Sequence, residues 1–285
     1  MSRTMIFAHR GANREAAENT RTAFDKALRY PIDGIETDVQ LSRDEVAVLW
    51  HDRDLKKLDL PGKHIDDFDH AQLQAMNFAA HFKAAPLPNP DGATSHSTKP
   101  ASGQVAGYLP QAGEGANEAP SATQFHEGVM SLQEFIAAYR GRCRLLLEIK
   151  NRDWEDPARH EIKVQQTLAL AGAAEDDRIM ASSFNLDSLI HAHRIAPQFP
   201  LVFNLEPEHN LNDARRALDE QPFLRGLCVH ISTLDTDMMK LVRERGKVIA
   251  VYTCNSEPEI SRALTLGVDV LISDVPQKAL QMRDE

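Results

Sequence analysis

The chain has 285 residues, 42% of them hydrophobic, and a formal net charge of −10. That is enough apolar matter for a sizeable core, and it lacks the basic balance of a nucleic-acid binder. Three widely spaced cysteines, Cys143, Cys228 and Cys254, encode neither a disulfide framework nor a zinc ribbon.

The first apolar run, residues 5–8, is too short for the core of a signal peptide. No window approaches the roughly 20 apolar residues of a membrane span. The expectation is a cytoplasmic protein with no stable membrane insertion and no nucleic-acid partner. That first run ends on His9, Arg10 and Gly11, two groups costly to bury and one that bends the chain. A helical pattern follows over 22–29. Runs 34–41 and 46–50, joined by Ser-Arg-Asp-Glu, predict a hairpin, and the second run leads into His51. Residues 84–124 are rich in Pro, Gly, Ser, Ala and Thr. Such composition buries too little apolar surface to offset its ordering entropy, so it reads as a flexible insertion on a β/α loop rather than a second domain, with a substrate lid as the alternative reading.

Beyond it the period alternates. Strands are predicted at 145–149, 179–182, 201–204, 226–229, 248–252 and 268–272. Helices are predicted at 132–139, 161–171, 186–195, 214–220, 236–245 and 257–266. Ser131, Asn185 and Ser256 stand at three of the helix starts as caps. Setting the hairpin's second strand aside leaves eight strands, each able to feed a helix. This favours a single α/β domain over 1–285, a (β/α)8 TIM barrel with a low-complexity insertion. No phosphate-binding glycine motif follows any strand, which removes the usual case for an open sheet.

Glu36 and Asp38 are two apart in a strand and so share a face. Their neighbours Ile35, Thr37 and Val39 are apolar or β-branched, which turns the two carboxylates towards the barrel axis. Glu148 closes the run Leu145, Leu146, Leu147, and Lys150 lies on its face. A plain Glu148–Lys150 ion pair fits that segment as well as a metal ligand does. Three carboxylates without thiols suit Mg²⁺ or Ca²⁺ better than zinc. His9 and His51 each follow an apolar strand, and His230, which follows the run 226–229, is a lesser candidate for the same rim. His191 and His193 point to different faces of a helix, and His64, His70, His81, His96, His126, His160 and His209 read as surface histidines. Arg10 and Lys150 supply fixed positive charge, which suits phosphate better than carbohydrate.

Taken together, "AHRG…AENT", "GIETDVQLSRD", "LWHDRDL", "LLLEIK", "SSFNLDSL", "VYTCN" and "LGVDVLISDVP" resemble, in order, the signatures of the glycerophosphodiester phosphodiesterases, the bacterial cytosolic type above all. The resemblance spans residues 5–276 apart from the insertion and implies a TIM barrel. It implies that Glu36, Asp38 and Glu148 hold a divalent metal, that His9 and His51 do acid–base work, and that Arg10 and Lys150 bind phosphate. The substrate it implies is a small phosphodiester such as glycerophosphocholine or glycerophosphoethanolamine, with lysophospholipase D-like chemistry as the alternative. Four positions depart from the family pattern. Ala17 replaces a proline, "KKLDLPGKH" replaces the turn after the His-Asp pair, Tyr252 replaces a tryptophan and Cys254 a valine.

Overall fold

Short apolar runs alternating with capped helices close into a barrel in the computed structural model, which describes residues 3–82, 126–151, 156–172 and 178–285. The predicted insertion at 84–124 lies outside the described residues. In chain order the strands are β1 (Met5–His9), β2 (Gly34–Leu41), β3 (Ala47–Leu49), β4 (Asp54–Leu55), β5 (Leu60–His64), β6 (Arg144–Ile149), β7 (Ile179–Ser183), β8 (Leu201–Asn204), β9 (Gly226–His230), β10 (Val248–Tyr252) and β11 (Val270–Ser273). Parallel neighbours run β1, β2, β6, β7, β8, β9, β10, β11, and β11 returns to β1. The sheet therefore has eight parallel strands and no open edge. The expected hairpin is the β2–β3 antiparallel pair, which adds β3 outside this ring.

Alternation along each strand sorts its side chains. In β6, Leu145, Leu147 and Ile149 join the large cluster between strands and helices. Leu146 faces inward with Phe7, Met180, Val202, Cys228, Ala250, Val270 and Ile272, which plug the lumen. Burying each large apolar side chain contributes on the order of 2 kcal/mol. Above the plug, the inward positions of the strands turn polar.

The expected caps are in place. Ser131 and Asn185 accept from the backbone of Glu134 and Ser188, while the Ser256 N–H donates to Glu259. Three pieces were not expected: helix Pro276–Asp284, helix His70–Ala75 and the β4–β5 pair. The first buries only Pro276, Ala279 and Leu280, too few to write a helical period. At the base of the insertion, the Phe78 N–H donates to the Glu127 carbonyl at 2.7 Å, and the Glu127 N–H to Asn77 Oδ1 at 3.1 Å. The chain thus leaves and returns through one hydrogen-bonded neck.

Gly226 at the start of β9 marks a close approach. A Cβ there would lie 2.0 Å from the Val248 carbonyl oxygen, so β9 or β10 would have to move. Gly226→Ala is expected to lower the stability by about 1–3 kcal/mol, read from the urea midpoint.

Candidate active site

The strand ends on one rim of the barrel gather the polar side chains. At the end of β1 the chain passes through two left-handed residues, Arg10 (φ 57°) and Gly11 (φ 84°). Only glycine adopts this conformation without steric cost, and a Cβ on Gly11 would also lie 2.7 Å from the Ala23 backbone. This double bend carries the chain away just beyond His9. The Arg10 N–H still donates to the Glu36 carbonyl at 2.9 Å, tying the bend to β2.

β2 supplies Glu36 and Asp38, which are 4% and 0% exposed, and β6 supplies Glu148. One oxygen from each of the three lies within 4.8 Å of the others. Both Glu36 oxygens and Asp38 Oδ1 are buried and accept no hydrogen bond. Asp38 Oδ2 meets Arg10 Nε and Asn19 Nδ2, both at 2.9 Å. Lys150 Nζ lies 2.6 Å from Glu148 Oε1 and 3.4 Å from Asp38 Oδ1. The Glu148–Lys150 ion pair therefore exists, inside the carboxylate cluster rather than instead of it.

Burial, with the charges of Asp38 and Glu148, pushes the Glu36 carboxyl well above its ordinary range. Burial would also raise Asp38, but Arg10 and Lys150 override it and hold that carboxyl below the usual range. Three carboxylates against two cations leave the cluster negative. Oxygens buried without partners are costly, and an all-oxygen donor set fits a hard divalent cation.

Each histidine is oriented by an aspartate. His9 Nδ1 lies 2.6 Å from Asp274 Oδ1. Asp274 is further held by Asn13 at 2.6 Å, Asn255 at 2.8 Å and Arg14 at 3.2 Å. His9 Nε2 is left facing Glu36 Oε2 at 3.8 Å. His51 Nδ1 lies 2.6 Å from Asp52 Oδ1. From Asp52 a chain of contacts runs through Lys57 at 2.8 Å and Glu18 at 2.8 Å to Arg10 at 3.0 Å. Lys57 belongs to the turn that departs from the family pattern, so that turn supplies a link to the site.

The His51 hydrogen bond, against the opposing effect of burial, holds Asp52 below the ordinary carboxylate range. At Asp274 burial is outweighed by His9, Asn13 and Arg14, with the same result. A depressed carboxylate stabilises the fold above its unfolded pKa, near about 4, and that share is lost as pH falls through the folded value. Urea midpoints measured from about pH 6 down to about pH 3 are expected to fall, less steeply in Asp274→Asn.

The cleft over this rim encloses about 320 Å³ and is lined by His9, Arg10, Glu36, His51, Glu148 and Lys150, together with Ser182, Phe184, Asn204, His230 and Tyr252. Six of the seven residues singled out in the sequence line it. Asp38 lies behind them against Arg10 and Lys150. His81, read as a surface histidine, instead packs edge-on against Trp50 at 5.6 Å beside the site. Sequence reasoning missed Asp274, Asp52, Lys57, Glu18 and Asn19 as partners, although "AENT", "HD" and "ISDVP" contain four of them.

Among the described residues, no helix is long and apolar enough to cross a membrane. A model of the Glycerophosphoryl diester phosphodiesterase family matches residues 9–278. A glycerophosphodiester phosphodiesterase of Bacillus altitudinis is 28% identical over 286 residues, covering 99% of each chain. An Oleispira antarctica phosphodiesterase, solved with its product sn-glycerol-3-phosphate, superposes with a TM-score of 0.75 at 21% identity, over 99% of this chain and 98% of that one. A glycerophosphodiester phosphodiesterase of Thermotoga maritima gives 0.68 at 19% identity, over 99% of both chains.

Proposed function

Since the chain belongs to the glycerophosphoryl diester phosphodiesterase family, we propose that it is a metal-dependent enzyme cleaving glycerophosphodiesters, such as glycerophosphocholine or glycerophosphoethanolamine, to sn-glycerol 3-phosphate and an alcohol. The observation that carries this reading is the meeting of Glu36, Asp38 and Glu148 with two aspartate-oriented histidines in one cleft. Glu36, Asp38 and Glu148 would hold one Mg²⁺ or Ca²⁺. When bound, that ion would polarise a non-bridging phosphate oxygen and neutralise charge developing around phosphorus.

The chain's own groups do the rest. Arg10 and Lys150 are held charged by their carboxylate partners, against the effect of burial, and bind the phosphate. The Nδ1 atoms of His9 and His51 are occupied by aspartates, so each Nε2 is the atom that exchanges a proton. One histidine takes the proton of the attacking hydroxyl and the other returns one to the leaving alcohol oxygen. The attacker is water, or the 2-hydroxyl of the glycerol unit by way of a cyclic phosphate.

The test is head-group release from glycerophosphocholine, glycerophosphoethanolamine and a lysophospholipid, each with and without EDTA, the other product being sn-glycerol 3-phosphate from the first two and lysophosphatidate from the third. Release from the first two that stops with EDTA is the expected result. Cleavage of the lysophospholipid alone would transfer the assignment to lysophospholipase D chemistry, and activity untouched by EDTA would sink the metal dependence.

A further inference from the structure

Across the cleft from the carboxylates the wall holds Asn204, Cys228 and Tyr252, together with Glu206 and His230. Tyr252 spends its hydroxyl on the Leu205 carbonyl at 2.8 Å, and burial keeps both its phenol and the Cys228 thiol protonated. Within this wall stands Asn204, at the rim end of β8 and only 4% exposed. β8 is four strands from β1 around the ring in either direction, so Asn204 stands opposite His9. Its Nδ2 donates to Ser182 Oγ at 3.4 Å, and Ser182 pairs in register with Glu148. Its Oδ1 is buried and has no partner among the described residues. Asn204 lines the cleft, and turning the amide over only exchanges which end is orphaned, so one strong hydrogen-bonding group of this side chain stays unmet either way. Such a group costs free energy until a ligand satisfies it.

Resting on the function proposed above, we infer that Asn204, steadied by Ser182, binds the terminal hydroxyl of the glycerol unit and makes the site selective for that diol. The phosphate is held at Arg10 and Lys150, on the carboxylate side. Of the two glycerol hydroxyls, the 2-hydroxyl sits next to the ester carbon, near the reacting phosphorus, and the terminal one reaches further towards the opposite wall. A buried amide, which can donate and accept, suits a hydroxyl, which does both. A site built to hydrogen-bond a substrate hydroxyl also rejects the analogue that lacks it, because the protein group is then left unpaired.

The test compares glycerophosphocholine with 2-hydroxypropyl phosphocholine, which keeps the 2-hydroxyl and lacks the terminal one. The wild-type enzyme is expected to favour the first by about 10- to 100-fold in kcat/KM. In Asn204→Leu the two substrates should come within about threefold of each other, the loss falling on glycerophosphocholine alone. Asn204→Ala gives the same reading should the leucine variant not fold, and Ser182→Ala should narrow the ratio several-fold. An Asn204 variant that keeps the wild-type ratio overturns the inference, as does a wild-type enzyme that uses both substrates equally. A wild-type enzyme that cleaves neither substrate removes the parent reading instead.

Discussion

His9→Ala and His51→Ala are each expected to lower kcat by about 10²- to 10⁴-fold, the usual worth of one positioned proton transfer. Neither change should unfold the chain. Both side chains lie at a strand end on the cleft rather than in the apolar core. Neither belongs to the carboxylate cluster, so divalent-ion binding by calorimetry should persist in both variants. The loss should appear in kcat rather than KM, because Arg10 and Lys150, the proposed phosphate ligands, are untouched. The double variant should be little worse than either single one, since one reaction needs both transfers. A variant that kept near wild-type kcat would lose its assigned role.

Removing the proposed metal ligands should separate two effects that the site holds together. Glu36→Ala with Asp38→Ala abolishes divalent-ion binding by calorimetry, and unchanged binding would refute the carboxylate assignment. The single variants should differ in stability when metal is chelated. Asp38 answers Arg10 and Lys150, so Asp38→Ala leaves two buried cations short of a partner and costs about 3–5 kcal/mol. The Glu36 carboxylate has no hydrogen bond and two like-charged neighbours, so Glu36→Gln should be neutral or stabilising in the same urea series. Burial and the charges of Asp38 and Glu148 favour the protonated form of Glu36 when no metal is bound. Metal uptake should therefore release protons, seen as a binding enthalpy that changes with the buffer's ionisation enthalpy.

Much of this arrangement was legible in the chain. The flanks Ile35, Thr37 and Val39 fixed which way Glu36 and Asp38 point, because a strand has a period of two and one face had to be apolar. His9 and His51 stood out because each closes an apolar run. What stayed hidden depends on closure. Asp274 meets His9 only because β11 pairs with β1, a contact spanning 265 positions that no local pattern encodes. Asn204 looked like the polar end of a strand, since its importance lies in a partner it lacks. Helix Pro276–Asp284 has too few buried positions to write a period.

The neck formed by Asn77, Phe78 and Glu127 has an evolutionary consequence. Closing a longer loop costs only about 0.6 kcal/mol for each doubling of its length. With both ends fastened at one point, loop closure itself sets little limit on the length of the span between them. Homologues should therefore differ in the number of residues between Phe78 and Glu127 while the eight strands keep their register.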